Sequence, residues 1–275
     1  SARRRQGQES VMLRGMGVVL GGLGGLLVAT GAEASERRFT YTYQSGVLNA
    51  GDVELEPWTT FRGGREDYYR RLDHRLEFEV GLTDRLQTAF YLNFSAKTLD
   101  EGAARVSEFE WGGISSEWKY KLMDPVADAV GMALYVEGSY ATHESELEAK
   151  IIVDKQFGSV LLAFNAVFEH EWVFEEKGET EREMAVELDL GLAYQFSPAF
   201  SAGIEVRNHN EMVPKEGLEA ATLFAGPVVA YSTERWWGAL SVMPQLPALK
   251  TEEEGTLELE DHEKLNARLI LGFHL

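Results

Sequence analysis

The sequence predicts an all-β chain, a 12-stranded antiparallel up-and-down transmembrane β-barrel, and three observations carry the prediction. Segments alternating apolar and polar residues recur along most of the chain, and their connections alternate between tight and loose. The last segment, LNARLILGFHL, keeps the alternation to its final residue, with Leu265, Ala267, Leu269, Leu271, Phe273 and Leu275 on one face. A closing strand in hydrocarbon needs that regularity, because each unpaired backbone group there costs several kcal/mol.

Residues 1–34 read as a signal peptide: a basic start, a Gly- and Leu-rich run from Met16 to Ala29, and Ala32-Glu33-Ala34 before Ser35, with cleavage expected after Ala34. The apolar run is short for a membrane-spanning helix, which needs roughly 20 residues. Met12 is an alternative start. Residues 35–50 form a lead-in, placed in the periplasm or tucked in the barrel mouth, and 51–275 form the barrel.

Twelve alternating segments follow: Asp52 to Arg62, Tyr69 to Gly81, Leu86 to Ser95, Ser107 to Leu122, Val130 to Tyr140, Glu146 to Lys155, Val160 to Trp172, Met184 to Phe196, Ser201 to Asn210, Ala221 to Tyr231, Arg235 to Gln245 and Leu265 to Leu275. In MAVELDLGLAYQF, Val186, Leu188, Leu190, Leu192, Tyr194 and Phe196 oppose Glu187, Asp189, Gly191, Ala193 and Gln195. A period of two means strands with one apolar face. The connections LTDR, MDPVAD, QFGS, FSPA and YSTE are short and rich in turn formers. GGRED, AKTLDEGAARV, THES, EEKGETERE, HNEMVPKEGLEA and LPALKTEEEGTLELEDHEK are longer or more charged, and define the opposite rim.

Alternation does not say which face points inward. Width does: twelve strands enclose more than the roughly eight-stranded size that side chains can fill, so an apolar interior would leave a void or need a lipophilic ligand. The apolar face therefore turns to lipid. Trp58, Trp111, Trp118, Trp172, Trp236 and Trp237 fall toward strand ends, where interfacial aromatic girdles sit.

The excess of 45 Asp and Glu over 26 Lys and Arg excludes phosphate-neutralising nucleic-acid binding. With no cysteine, disulfides do not stabilise the exported chain. No HExxH, P-loop or GxGxxG motif is present, and neither cofactor nor metal is expected. In FEHEW, the two carboxylates share a face that His170 does not. The acidic run TEEEGTLELEDHE reads as a solvated loop able to gather divalent cations beside anionic lipopolysaccharide.

With the apolar face outward, the lumen is expected to be lined by Glu54, Glu56, Arg75, Glu77, Glu79, Glu137, Asn165, Glu169, Glu187, Asp189, Glu205, Arg207 and Arg268. Two readings stay open. The carboxylates set a cation-favouring path for a small solute, or the charges pair and plug the barrel, Arg207 with Glu187 or Asp189 and Arg268 with Glu54 or Glu56 across the seam.

ARLILGFHL resembles the C-terminal signal strand of bacterial outer-membrane proteins, Phe273 standing in for the usual terminal aromatic residue. The stretches RRFTYTYQSGVLNAGDVELEPWTTF, DHRLEFEVGLTDRLQTAFYL and ERWWGALSVMPQ resemble a family of uncharacterised Gram-negative outer-membrane barrels. That family is similar in style to the transporter barrels of aromatic-degradation operons. The resemblance implies an outer-membrane location among lipid and lipopolysaccharide, and contact with the barrel-assembly machinery through Leu265 to Leu275. It brings no catalytic residues. Twelve-stranded phospholipases carry a His-x-Ser pair with a supporting Asn, and ATHESE supplies His143 and Ser145 as an alternative, lipid-hydrolysing reading.

Overall fold

A computed structural model describes residues 36–275 except 103, 175–179, 214–216 and 253–254; the expected signal peptide lies outside the described residues. Strands form where the alternation places them: β1 (Val53–Gly63), β2 (Tyr69–Thr83), β3 (Leu86–Glu101), β4 (Ala104–Met123), β5 (Gly131–Tyr140), β6 (Glu144–Phe157), β7 (Val160–Phe174), β8 (Thr180–Ser197), β9 (Phe200–Val213), β10 (Gly217–Ser232), β11 (Trp236–Lys250) and β12 (Leu265–His274). Each pairs antiparallel with its neighbours, and β1 pairs with β12 to close a barrel of twelve strands. The seam sets Glu54 opposite His274, Thr60 opposite Arg268 and Gly63 opposite Leu265. Closure leaves no strand edge open to lipid.

Local chemistry explains the tight rim. Thr83 Oγ1 accepts the amides of Arg85 (3.2 Å) and Leu86 (3.0 Å) in the β2–β3 turn. Asp124 accepts those of Val126 (2.9 Å) and Ala127 (3.1 Å) between β4 and β5, and these amides hold its carboxyl below the usual range. On the other rim several expected loops are strand instead. The ladder continues through the charged stretches of β3, β4, β8 and β11, so the barrel is taller there than the expected segments. At 20 residues, β4 far exceeds the roughly 9–11 that a spanning strand needs.

The apolar face points outward, as the width argument requires. Leu188, Leu190, Leu192 and Tyr194 are exposed on β8, whereas Glu187, Asp189 and Ala193 are buried. On β4 a bulge at Gly113 reverses the phase: Phe109 and Trp111 face outward before it, Ile114, Trp118 and Tyr120 after it. Gly113 has φ +82°, and a Cβ there would lie 2.0 Å from the carbonyl oxygen of Tyr140, so only glycine fits.

Candidate functional site

The lumen is not empty on the short-turn side. Residues 36–50 enter it and run along its wall before joining β1, and Phe39, Thr40, Tyr41, Thr42, Tyr43, Ser45, Val47 and Leu48 are all buried. The segment makes no ladder of its own, so its main-chain amides need side-chain acceptors. The barrel supplies them. Glu205 accepts from Thr40 N (3.0 Å), Thr40 Oγ1 (2.9 Å), Tyr41 N (2.9 Å) and Thr42 N (2.9 Å). Asn165 takes both polar groups of Tyr43, its Oδ1 accepting from the amide (2.6 Å) and its Nδ2 donating to the carbonyl (3.0 Å). Asp154 accepts from Ser45 N (3.2 Å) and Oγ (2.5 Å), and Gln87 from Leu48 N (2.8 Å).

The aromatic side chains of the segment fill an apolar socket. Phe39 packs with Leu161, Ala163, Ala193 and Val228, Tyr41 with Phe224 and Met243, and Tyr43 with Trp58, Tyr135, Ile152, Trp237 and Ile270. Arginines complete the fit: Arg37 lies over the rings of Tyr43 (4.0 Å) and Trp58 (4.6 Å), and Arg268 (3.7 Å) and Arg207 (4.2 Å) lie over Tyr41. Glycines in the wall make room. A Cβ on Gly81 would lie 2.0 Å from the carbonyl oxygen of Asn49, one on Gly131 2.2 Å from Ser45 Oγ, and one on Gly191 2.7 Å from the Phe39 ring.

Among the residues expected in the lumen, Glu54, Glu56, Glu77, Glu79, Glu137, Asn165, Glu187, Asp189 and Glu205 are buried. Arg75, Glu169, Arg207 and Arg268 are half-buried. Arg207 meets Glu187 (2.5 Å) and Asp189 (3.9 Å), Arg75 meets Glu137, and Lys150 meets Glu148 (2.9 Å). For Arg268 the expected partners are Glu54 or Glu56, and the bonds it makes run elsewhere, to Thr60 and Thr40. The seam register puts it opposite Thr60, whose hydroxyl it binds (2.9 Å), and its second bond goes to the Thr40 carbonyl (3.3 Å). Glu54 instead receives the Trp237 indole N–H (2.5 Å) and faces His274 Nδ1 (2.8 Å).

The aromatic girdle needs correcting at two positions. Trp111, Trp118 and Trp236 are exposed on the outer surface and Trp172 is half-exposed, but Trp58 and Trp237 are 3% and 1% exposed, inside the barrel. The period of two requires it: Trp58 shares the inner face with Glu54, Glu56 and Thr60, and Trp237 shares it with Ala239, Ser241 and Met243. Position near a strand end is a weaker signal than phase.

The lipid-hydrolysing alternative lacks support from its third group. Asn165 spends both amide atoms on Tyr43, so it is not available to orient His143 toward Ser145. Sequence reasoning offered the barrel mouth as one of two places for residues 35–50, but missed how deeply the segment enters the lumen and the apolar socket that receives it. Two signals pointed there: Phe39, Tyr41 and Tyr43 alternate with Thr40 and Thr42 outside any strand, and Gly81 and Gly131 interrupt otherwise bulky segments.

The fold is similar to solved outer-membrane barrels. The COG4313 outer membrane channel from Pseudomonas putida F1 superposes with a TM-score of 0.61 at 13% identity, over 86% of this chain and 100% of that one. The translocator domain of the autotransporter NalP from Neisseria meningitidis gives 0.55 at 12%, over 83% and 90%. The NanC porin gives 0.52 at 10%, over 80% and 99%. A search of curated protein sequences finds no match. The model of one family matches residues 31–275, which is nearly the whole chain and the entire barrel with its lumen segment, so the protein belongs to the family of unknown function DUF6662.

Proposed function

We propose that this barrel sits in the outer membrane and passes a small solute, cationic or rich in hydroxyl groups, along its acidic lumen, and that residues 36–50 hold it closed at the short-turn end. The observation that carries the reading is the way the segment is held. Its bonds run to side chains that line the lumen, principally Glu205, Asn165 and Asp154, rather than to a backbone ladder. Such contacts break without disturbing the barrel wall. Behind the segment, Glu77 keeps both carboxylate oxygens buried without a hydrogen bond. Glu56 and Glu79 lie close beside it, and a group of inward-facing carboxylates is the kind of lining that sets cation preference in a pore. A channel and a porin among barrels of similar fold are consistent with this use of the architecture.

Planar-bilayer recording tests it. The full barrel is expected to be nearly silent, and a variant lacking residues 36–48 to give conductance steps favouring cations. If that variant shows the heat-modifiable gel mobility of a folded barrel yet gives neither steps nor solute-dependent liposome swelling, the lumen is a structural core and the channel reading fails.

A further inference from the structure

A second cluster lies toward the long-loop mouth, built from β9 and the β11–β12 connection. His209 and Glu211 are two positions apart on β9 and so share a face. His262 comes from the connection between β11 and β12, which folds back over the rim and is tied there. Gln245 Nε2 donates to the Glu258 carbonyl (2.7 Å), Lys264 N to the Gly64 carbonyl (2.8 Å), and Arg65 pairs with Glu263 (3.2 Å). These ties bring the His262 ring to 5.5 Å from that of His209. Glu211 Oε1 then lies 3.5 Å from His209 Nε2 and 3.1 Å from His262 Nε2, and the three groups offer ligand atoms all within 4.8 Å of one another.

These spacings suit a metal ion. A tetrahedral Zn²⁺ held by imidazole nitrogen and carboxylate oxygen at about 2.0–2.2 Å places its ligands about 3.3–3.6 Å apart. Two further observations concern the ring nitrogens. His209 Nδ1 lies 3.0 Å from Glu187 Oε2, which keeps a proton on Nδ1 and leaves Nε2, on the Glu211 side, as the nitrogen an ion would take in exchange for its proton. That carboxylate behind a histidine is the usual support of a metal-bound imidazole. His262 Nε2 is buried 3.1 Å from Glu211 Oε1, so an ion between them would take both atoms as ligands. The all-carboxylate cluster Glu56, Glu77 and Glu79 offers no comparable nitrogen donor.

We propose that His209, Glu211 and His262 bind a divalent transition-metal ion of the zinc class, which clamps the β11–β12 connection to β9 across the mouth. Two imidazoles select such an ion over Ca²⁺ or Mg²⁺, which prefer oxygen. Three protein ligands leave one position for water or an incoming ligand. The site stands whether or not the barrel conducts.

The test uses the full chain without a histidine tag, refolded in detergent, stripped with chelator and titrated with Zn²⁺ by calorimetry, with Co²⁺ as an absorption probe of tetrahedral coordination. One Zn²⁺ per barrel is expected, with His209→Ala and His262→Ala each weakening it by more than ~10-fold, the scale on which even outer partners of a metal count. His170→Ala is expected to change nothing, since its ring packs on Trp172 (4.2 Å) on the outer side of β7. Gel mobility before and after heating reports whether each variant is folded. A folded wild type that takes no Zn²⁺, or a folded His262→Ala barrel that binds it with undiminished affinity, overturns the proposal.

Discussion

Glu205→Gln is expected to loosen the lumen segment without unfolding the barrel. Glu205 is fully buried and accepts four hydrogen bonds, two at each carboxylate oxygen, from Thr40, Tyr41 and Thr42. Glutamine keeps one oxygen and turns the other into an NH₂ donor. Two bonds survive as neutral ones, and two donors are left facing a third. Hydrogen bonds to a charged group are worth about 1.5–3 kcal/mol each, so losing two costs about 3–6 kcal/mol. The β8–β9–β10 ladder does not use the Glu205 side chain, so the cost falls on the segment. Thr42 supplies the probe: its hydroxyl is buried and has no hydrogen-bond partner, and the chain has no cysteine, so Thr42→Cys adds a single thiol of similar size. With reclosing fast relative to reaction, the rate of maleimide labelling follows the open population. At 1.4 kcal/mol per decade, even the lower bound corresponds to an increase of roughly 100-fold. If the thiol of Thr42→Cys labels at the same rate whether Glu205 is intact or carries the Glu205→Gln change, the carboxylate does not hold the segment, and the closing mechanism proposed above loses its basis.

Further outcomes follow from the same geometry. Gly81→Val sets a side chain against the carbonyl oxygen of Asn49, which a backbone cannot easily yield, and is expected to lower barrel stability by about 1–3 kcal/mol in urea-dependent gel mobility. Arg207→Ala leaves buried Glu187 and Asp189 without their guanidinium, a loss of about 3–5 kcal/mol in the same assay. Asp124 has its carboxyl pKa lowered by two amides, so its contribution is present above the unfolded carboxylate range and is lost as pH falls. Asp124→Asn is therefore expected to shift the urea midpoint at pH 7 and to shift it little at acidic pH. Fluorescence of barrels retaining only Trp118 or Trp236 is expected to be quenched by brominated lipid, and that of a barrel retaining only Trp237 to be spared; quenching of Trp237 would return it to the girdle.

Much of the barrel was legible in the chain because a β-strand carries its orientation in a period of two. MAVELDLGLAYQF states which residues share a face, whatever surrounds it, and the count of twelve strands then turns the apolar face to lipid. Even the reversal at Gly113 is written there, as a pair of glycines where Trp111 and Ile114 change phase. The two misplaced tryptophans were legible as well, since the phase that turns Glu54 inward turns Trp58 inward with it.

The sequence by itself therefore determined the strands, their two faces and the two unlike rims, because each is a property of neighbours a few residues apart, and the number of strands, summed along the chain, said which face meets lipid. Tertiary structure alone decided what those inner faces meet. Thr40 is 165 positions from the carboxylate that binds it, and His262 belongs to a different connection from β9, which supplies His209 and Glu211. Such encounters depend on the register of every intervening hairpin and on the curvature of the closed wall, quantities that add up around the barrel and are not contained in any one segment.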